Sequence, residues 1–325
     1  MNIVSRGSGS PASARMALLA ALMAAAAALT FTGYRFTQMR TAPPPAHAYL
    51  PPRAASYLGV YETGAPPAYQ PIAEFANAAG RVPNIVGYYS GWAEPFPASF
   101  AQMLRGHGII PCVQIDPTYA SVSAIAAGAY DGYLRSYADS VRDFGHAVVI
   151  GFGHEMNAPW YPWGNGHVLP STFVRAWRHI VTLFRARGAD NVTWLWTVNQ
   201  DRAGTGPIAL WWPGASYVSW VGIDGYYFRR SDTFATAFGN TIDQVRTLTH
   251  EPVLLSETAV GPHTGQFAKI SDLFSGMHKN GVLGLIWFDK DQHGGIYHQD
   301  WRIEGNTVAE NAFQLGISTL TLARP

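Results

Sequence analysis

Short apolar runs recur along most of the chain, and each is followed by a stretch whose apolar residues fall at helical spacing. The runs cover 56–62, 84–91, 109–116, 147–154, 192–198, 217–226, 252–257 and 282–288. Their apolar content is continuous, not alternating, which indicates strands buried on both faces of a parallel sheet. Segments 71–79, 97–105, 121–144, 171–187, 234–249 and 266–279 read as helices, and 307–320 closes the series. Eight strands, most followed by a helix, match the size of a (β/α)8 TIM barrel, about 250 residues. An open doubly wound sheet would usually carry a Gly-rich fingerprint after its first strand. Here that place reads Tyr61-Glu62-Thr63-Gly64-Ala65-Pro66-Pro67, which does not match. The expected organisation is α/β: a single barrel over 49–325, preceded by an N-terminal segment over 1–48.

That first segment breaks the pattern. Arg6 and Arg15 precede an uncharged Ala- and Leu-rich run over 16–34, 19 residues long. A membrane span needs about 17–25 such residues, whereas a secretory h-region has about 7–15. The length favours an uncleaved signal anchor over a cleaved signal peptide. Ala46-His47-Ala48 has the small-x-small form of a cleavage site but lies far beyond the run. Arg35 and Arg40 flank its other end, so charge leaves the orientation open. Pro43, Pro44, Pro45, Pro51 and Pro52 mark a stiff linker. The barrel is therefore expected outside the cytoplasm, tethered by 16–34 or secreted after cleavage, and monomeric. Membrane contact is expected only through this segment.

Composition narrows the partners. The 22 Lys and Arg nearly balance the 21 Asp and Glu, for a net charge of +1. Charged residues make up 13% of the chain, against about 25% in ordinary domains. Trp, Tyr and Phe together equal them in number, at 11, 16 and 16. Nucleic acid is excluded as a partner, because phosphate binding needs a basic patch. The one cysteine, Cys112, rules out an intrachain disulfide framework and a Cys-rich metal cluster.

Barrel chemistry sits at the C-terminal ends of the strands. Strand four ends Gly151-Phe152-Gly153-His154-Glu155-Met156-Asn157, and strand seven ends Leu254-Leu255-Ser256-Glu257-Thr258. Each places a glutamate where an apolar strand opens into a loop. Strict alternation would put Gly151, Gly153 and Glu155 on one face, and Val253, Leu255 and Glu257 on one face. The two glycines are expected to leave room beside Glu155. Paired carboxylates are what glycoside hydrolysis needs: one protonated to donate to the leaving oxygen, the other to attack or stabilise an oxocarbenium-like centre. A zinc motif would need a second histidine four positions after His154, where Ala158 stands. His167, His263, His293 and His298 show no ligand spacing, so neither metal nor cofactor is expected. No Gly-x-Ser-x-Gly elbow or phosphate-binding Gly-Lys-Ser/Thr loop occurs in the barrel part.

Aromatics crowd the same loops. Trp160, Tyr161 and Trp163 follow Glu155, Tyr226 and Tyr227 end strand six, Trp92 ends strand two and Trp287 lies near the end of strand eight. Rings beside a carboxylate pair suit the C–H faces of sugars. Trp177, Trp220 and Trp301 are expected in the core instead. Tyr226 is placed to hydrogen-bond a carboxylate on strand seven, and Asn157, Asn199, Asp116 and Asp224 are further polar candidates at strand ends.

The sequence resembles glycoside hydrolase family 26, a group of β-mannanases, mixed-linkage β-glucanases and β-1,3-xylanases. His154-Glu155-Met156-Asn157 with Trp160-Tyr161-Pro162-Trp163-Gly164 carries the likeness. Gly222-Ile223-Asp224-Gly225-Tyr226, Ser256-Glu257-Thr258 and Gly284-Leu285-Ile286-Trp287-Phe288 extend it. The resemblance implies a retaining mechanism with Glu155 as acid/base and Glu257 as nucleophile. It implies that His154 borders the acid/base, that Tyr226 orients the nucleophile, and that Trp160, Trp163 and Trp287 line sugar subsites. Asn157 and Trp92 complete the expected substrate-binding set. The run after Glu155 looks closer to the glucanase-like members than to the mannanases, so β-mannan and β-1,3-1,4-glucan both stay open, with β-1,3-xylan behind them. A catalytically silent carbohydrate-binding barrel is the rival expectation, against which two intact glutamates count.

Overall fold

The computed structural model describes residues 56–294 and 298–323. The expected anchor over 16–34 and the proline-rich linker lie outside the described residues. Among the described residues no helix is long and apolar enough to cross a membrane.

Eight parallel strands close into a barrel in chain order: β1 (Tyr57–Glu62), β2 (Ile85–Gly91), β3 (Ile110–Asp116), β4 (Val148–Phe152), β5 (Val192–Asn199), β6 (Trp220–Tyr227), β7 (Val253–Val260) and β8 (Gly284–Asp289). β8 closes onto β1 in register, from Tyr57 opposite Gly284 to Glu62 opposite Asp289. The helices α1 (Gln70–Ala79), α2 (Ala98–Gly106), α3 (Val122–Ala126), α4 (Asp131–Phe144), α5 (Pro170–Ala186), α6 (Asn240–Leu248), α7 (Gln266–Lys279) and α8 (Thr307–Ile317) form the outer ring. α5 shows why they dock: Phe173, Ala176, Trp177, Ile180, Val181 and Phe184 make one buried stripe at helical spacing.

Several features depart from the sequence expectation, two of them outside the site. The helix over 121–144 is two helices, broken where Gly128 takes a φ of 83°. A small antiparallel pair, β9 (Asp291–Gln292) with β10 (Gln299–Asp300), follows β8. Strands of two residues carry no periodicity to read.

Alternate residues of each strand fill the barrel. Tyr57, Ile85, Ile110, Cys112, Val149, Leu195, Trp220, Leu254 and Ile286 form its apolar floor. Above the floor, Gln114 Nε2 donates to Thr197 Oγ1 at 2.8 Å across the interior. A Cβ on Gly151 would stand 1.8 Å from Gln114 Oε1. The glycine expected to leave room beside Glu155 therefore admits a buried glutamine.

Both glutamates reach the mouth by a route that strict alternation does not give. Gly222 pairs with Leu254, but Asp224 pairs with Glu257, so three residues of β7 oppose two of β6. This is a bulge, which re-aims the side chains that follow it. Val253 and Leu255 pack outward under the helices while Leu254 faces the floor. Alternation continued from Leu255 would send Glu257 outward; the extra residue turns both Ser256 and Glu257 inward. The expectation that Val253, Leu255 and Glu257 share a face fails for that reason. On the other side β4 stops at Phe152, so Glu155 belongs to the turn after it and shares no strand face with Gly151. Its φ is 53°, a left-handed conformation that costs a non-glycine residue roughly 1–2 kcal/mol. Glu155 N donates to Thr197 O at 3.0 Å, and Glu155 O accepts from Ala158 N at 2.9 Å. These bonds hold the turn and aim the carboxylate across the mouth.

Candidate active site

A cavity of about 430 Å³ opens at the C-terminal mouth of the barrel, lined by both glutamates together with Tyr61, Tyr89, Asp116, His154, Trp160, Tyr161, Asn199, Arg202, Tyr226, Phe288, Lys290 and Gln292. An adjoining cleft of about 490 Å³ shares Arg202 and Tyr226 with it.

The two carboxylates have different surroundings. Glu257 accepts hydrogen bonds from two phenols, Tyr226 to Oε1 and Tyr89 to Oε2. Burial, and then the charge of Glu257, push both phenols well up, so they stay neutral donors. Glu155 is buried, with Asn199 Nδ2 donating to Oε1 and Trp160 Nε1 donating to Oε2 at 2.6 Å. Burial raises the Glu155 carboxyl, the negative charge of Glu257 raises it further, and His154 with these two donors pulls it back, leaving it at about 6. A carboxyl tuned there can hold and release a proton near neutral pH.

His154 places a buried cation beside the two glutamates. Burial alone would push it down, but the Asp116 carboxylate, 2.8 Å from Nδ1, together with the charges of Glu155 and Asp224, holds it at about 10. Its Nε2 meets the Tyr161 hydroxyl at 3.1 Å. Asp224 is pushed well up by burial and by its two glutamate neighbours, and it accepts from Ser256 Oγ at 2.6 Å.

Of the residues expected to bind substrate, His154, Trp160 and Tyr226 line the cavity. Four others do not. Trp163 is 2% exposed, stacks on Tyr161 with centroids 4.5 Å apart, and donates from Nε1 to His154 O at 2.8 Å. It supports the Glu155 turn from behind. Trp287 is fully buried against Phe313 of α8, because Ile286 and Phe288 take the inward positions of β8. Trp92 packs outside the cavity on Tyr130, Tyr133 and Phe152. Asn157 is fully buried; its amide donates to Asn199 O at 3.0 Å and its Oδ1 accepts from Asn199 N at 2.8 Å. It thus holds the residue that binds Glu155 and does not face a ligand. Trp177, Trp220 and Trp301 are buried as expected.

Tyr89, Tyr61 and Phe288 went unsingled in the sequence. Tyr61 and Phe288 stack at 4.8 Å, 7° from parallel, on the cavity wall. Alternation from the floor residue Ile85 through Gly87 would have pointed to Tyr89. Arg202 and Lys290 come from loops, where no pattern announces them. Arg202 lies over the Trp160 ring at 4.7 Å.

A closed (β/α)8 barrel with a protonatable and a phenol-bound carboxylate in one ring-lined mouth defines a class, the glycoside hydrolase barrels. The family model of glycosyl hydrolase family 26 matches residues 121–315, and the chain belongs to that family. It is 28% identical over 271 residues to Endoglucanase H of Acetivibrio thermocellus, covering 78% of this chain and 29% of that protein. It is 25% identical over 206 residues to the mannan endo-1,4-β-mannosidase of Bacillus subtilis strain 168, covering 57% of this chain and 54% of that one. The chain thus spans under a third of the first relative and about half of the second. Among solved structures, the Bacillus subtilis mannanase man26 superposes with a TM-score of 0.61 at 18% identity, covering 83% of this chain and 87% of that one.

Proposed function

We propose that this chain is a retaining endo-β-glycanase that hydrolyses a β-1,4-containing polysaccharide, β-mannan or mixed-linkage β-1,3-1,4-glucan. The observation that carries the reading is the pair of unlike carboxylates in one cavity. Glu155 is buried and tuned to about 6, suited to donate a proton. Glu257 is aimed by two neutral phenols, suited to attack. In the first step Glu257 attacks the anomeric carbon while Glu155 protonates the leaving oxygen. In the second, Glu155 takes a proton from water, which displaces Glu257 and frees the sugar. Tyr89 and Tyr226 hold the nucleophile, and His154 neutralises part of the negative charge around it. Trp160, Tyr61 and Phe288 offer ring faces to sugar.

The adjoining cleft favours a polymer that runs through the site over a single terminal sugar. Endoglucanase H matches more of this chain than the mannosidase does, which supports β-glucan ahead of β-mannan. The reading places the barrel outside the cytoplasm as a monomer, held or exported by residues 16–34. A panel of barley β-glucan, lichenan, glucomannan, galactomannan and β-1,3-xylan tests it. Reducing ends should appear from a β-glucan or mannan substrate. Release from none of the five would favour a silent binding barrel.

A further inference from the structure

We propose that Glu62, Asp289 and Glu304 form a calcium site that clamps one wall of the candidate active site. Glu62 ends β1 and Asp289 ends β8, directly opposite in register. Glu304 arrives from the segment after β10. Carboxylate oxygens of all three lie within 4.8 Å of one another. Glu62 is 7% exposed and Asp289 is 2% exposed. Glu62 Oε1 and Glu304 Oε2 are buried and meet no hydrogen-bond donor among the described residues. Asp289 Oδ1 is oriented by Ile303 N at 3.0 Å.

Two cations line the space around the trio, Lys290 and Arg302, and Arg302 is committed elsewhere. Arg302 pairs with Asp300 at 2.8 Å and with Asp291 at 3.4 Å. A cavity of about 450 Å³ reaches the trio and is lined by two more carboxylates, Glu74 and Asp291. An unpartnered buried carboxylate oxygen is costly, and a cation ligated by it removes that cost.

The donors are all oxygen, which selects a hard cation. Three carboxylates converging from separate elements suit Ca2+, which accepts an irregular shell of about 6–8 oxygens, better than Mg2+, which demands a near-ideal octahedron; water from the cavity would complete the shell. The consequence reaches the active site. Asp289 and Glu304 bracket the segment that carries Lys290 and Gln292, both of which line the catalytic cavity. A cation joining them to Glu62 fixes both ends of that segment against β1. The three residues are far apart in sequence, so no ligand spacing could announce them.

The test uses the full-length chain stripped with EDTA, then titrated with CaCl2 or MgCl2. Saturating CaCl2 should raise Tm by about 5 °C or more, and calorimetry should show one Ca2+ per chain, with MgCl2 weaker. Glu304→Gln, partly exposed and isosteric, should keep the metal-free Tm and lose the calcium shift; Glu62→Gln should also lose it. If Tm and heat of the wild-type chain do not respond to CaCl2, the trio shares protons and the proposal is wrong. If both variants keep the shift, the ion binds elsewhere and the proposal is equally wrong. Neither readout depends on glycanase activity, so this inference and the proposed function fail separately.

Discussion

Trp160→Phe isolates one hydrogen bond on the proposed acid. The substitution keeps a ring for Arg202 and for sugar but removes the indole N–H that lies 2.6 Å from Glu155 Oε2. That donor favours the ionised carboxylate, so its loss raises the Glu155 pKa above its value of about 6. A hydrogen bond to a charged group contributes about 1.5–3 kcal/mol, and one pKa unit is about 1.4 kcal/mol. Trp160 is 39% exposed, so water replaces part of the bond, and a shift of about one unit remains. The acid works protonated, so kcat/KM falls as pH rises through its pKa. In the wild type the alkaline limb should fall near pH 6, and in the variant near ~7. At pH 7 the protonated fraction then rises from about a tenth to about half, roughly a five-fold gain relative to each enzyme's own acid plateau. The assay is kcat/KM from pH 4.5 to 8.5 on a soluble β-glucan. A limb that stays in place or moves to lower pH would refute Glu155 as the proton donor tuned by this bond.

Other residues separate chemistry from support. Tyr89→Phe removes one of the two phenols on Glu257 and should lower kcat about ten-fold to a hundred-fold with little change in KM, the effect of losing about 1.5–3 kcal/mol of charge-assisted bonding; an unchanged kcat would remove Tyr89 from the positioning set. Trp287→Ala should cost about 3–5 kcal/mol of stability in urea unfolding while the KM of the folded fraction holds, since the ring packs on Phe313 outside the cavity. A raised KM with unchanged stability would instead return Trp287 to a sugar subsite.

The barrel was legible because its signal is repetition: buried strands and amphipathic helices alternate, and each run reports independently. That Glu155 and Glu257 lie toward the C-terminal mouth was legible, but Glu155 sits in the turn beyond β4 and Glu257 inside a β7 that runs on to Val260, so the geometry that delivers them was not. A bulge at β7 and a left-handed turn after β4 each break the period that sequence reading relies on. Ring assignments split by the same logic. Trp160 follows the glutamate and faces the cavity, whereas Trp163, three residues on, folds behind it to bond His154 O. A tryptophan's identity is the same in both places; only the turn between them decides which is wet. Tyr89 was within reach of simple alternation, while Lys290 and Gln292 depend on a short hairpin with no pattern.

The role of Glu257 as the proposed nucleophile is open to direct measurement. A 2-deoxy-2-fluoro β-glycoside with a good leaving group slows hydrolysis of any glycosyl-enzyme ester, which peptide mass spectrometry can then locate. One adduct per chain on the peptide containing Glu257, absent in Glu257→Ala, is the expected result. An adduct on another carboxylate, or none at all alongside an inverted first product by proton NMR, would contradict the assignment of Glu257.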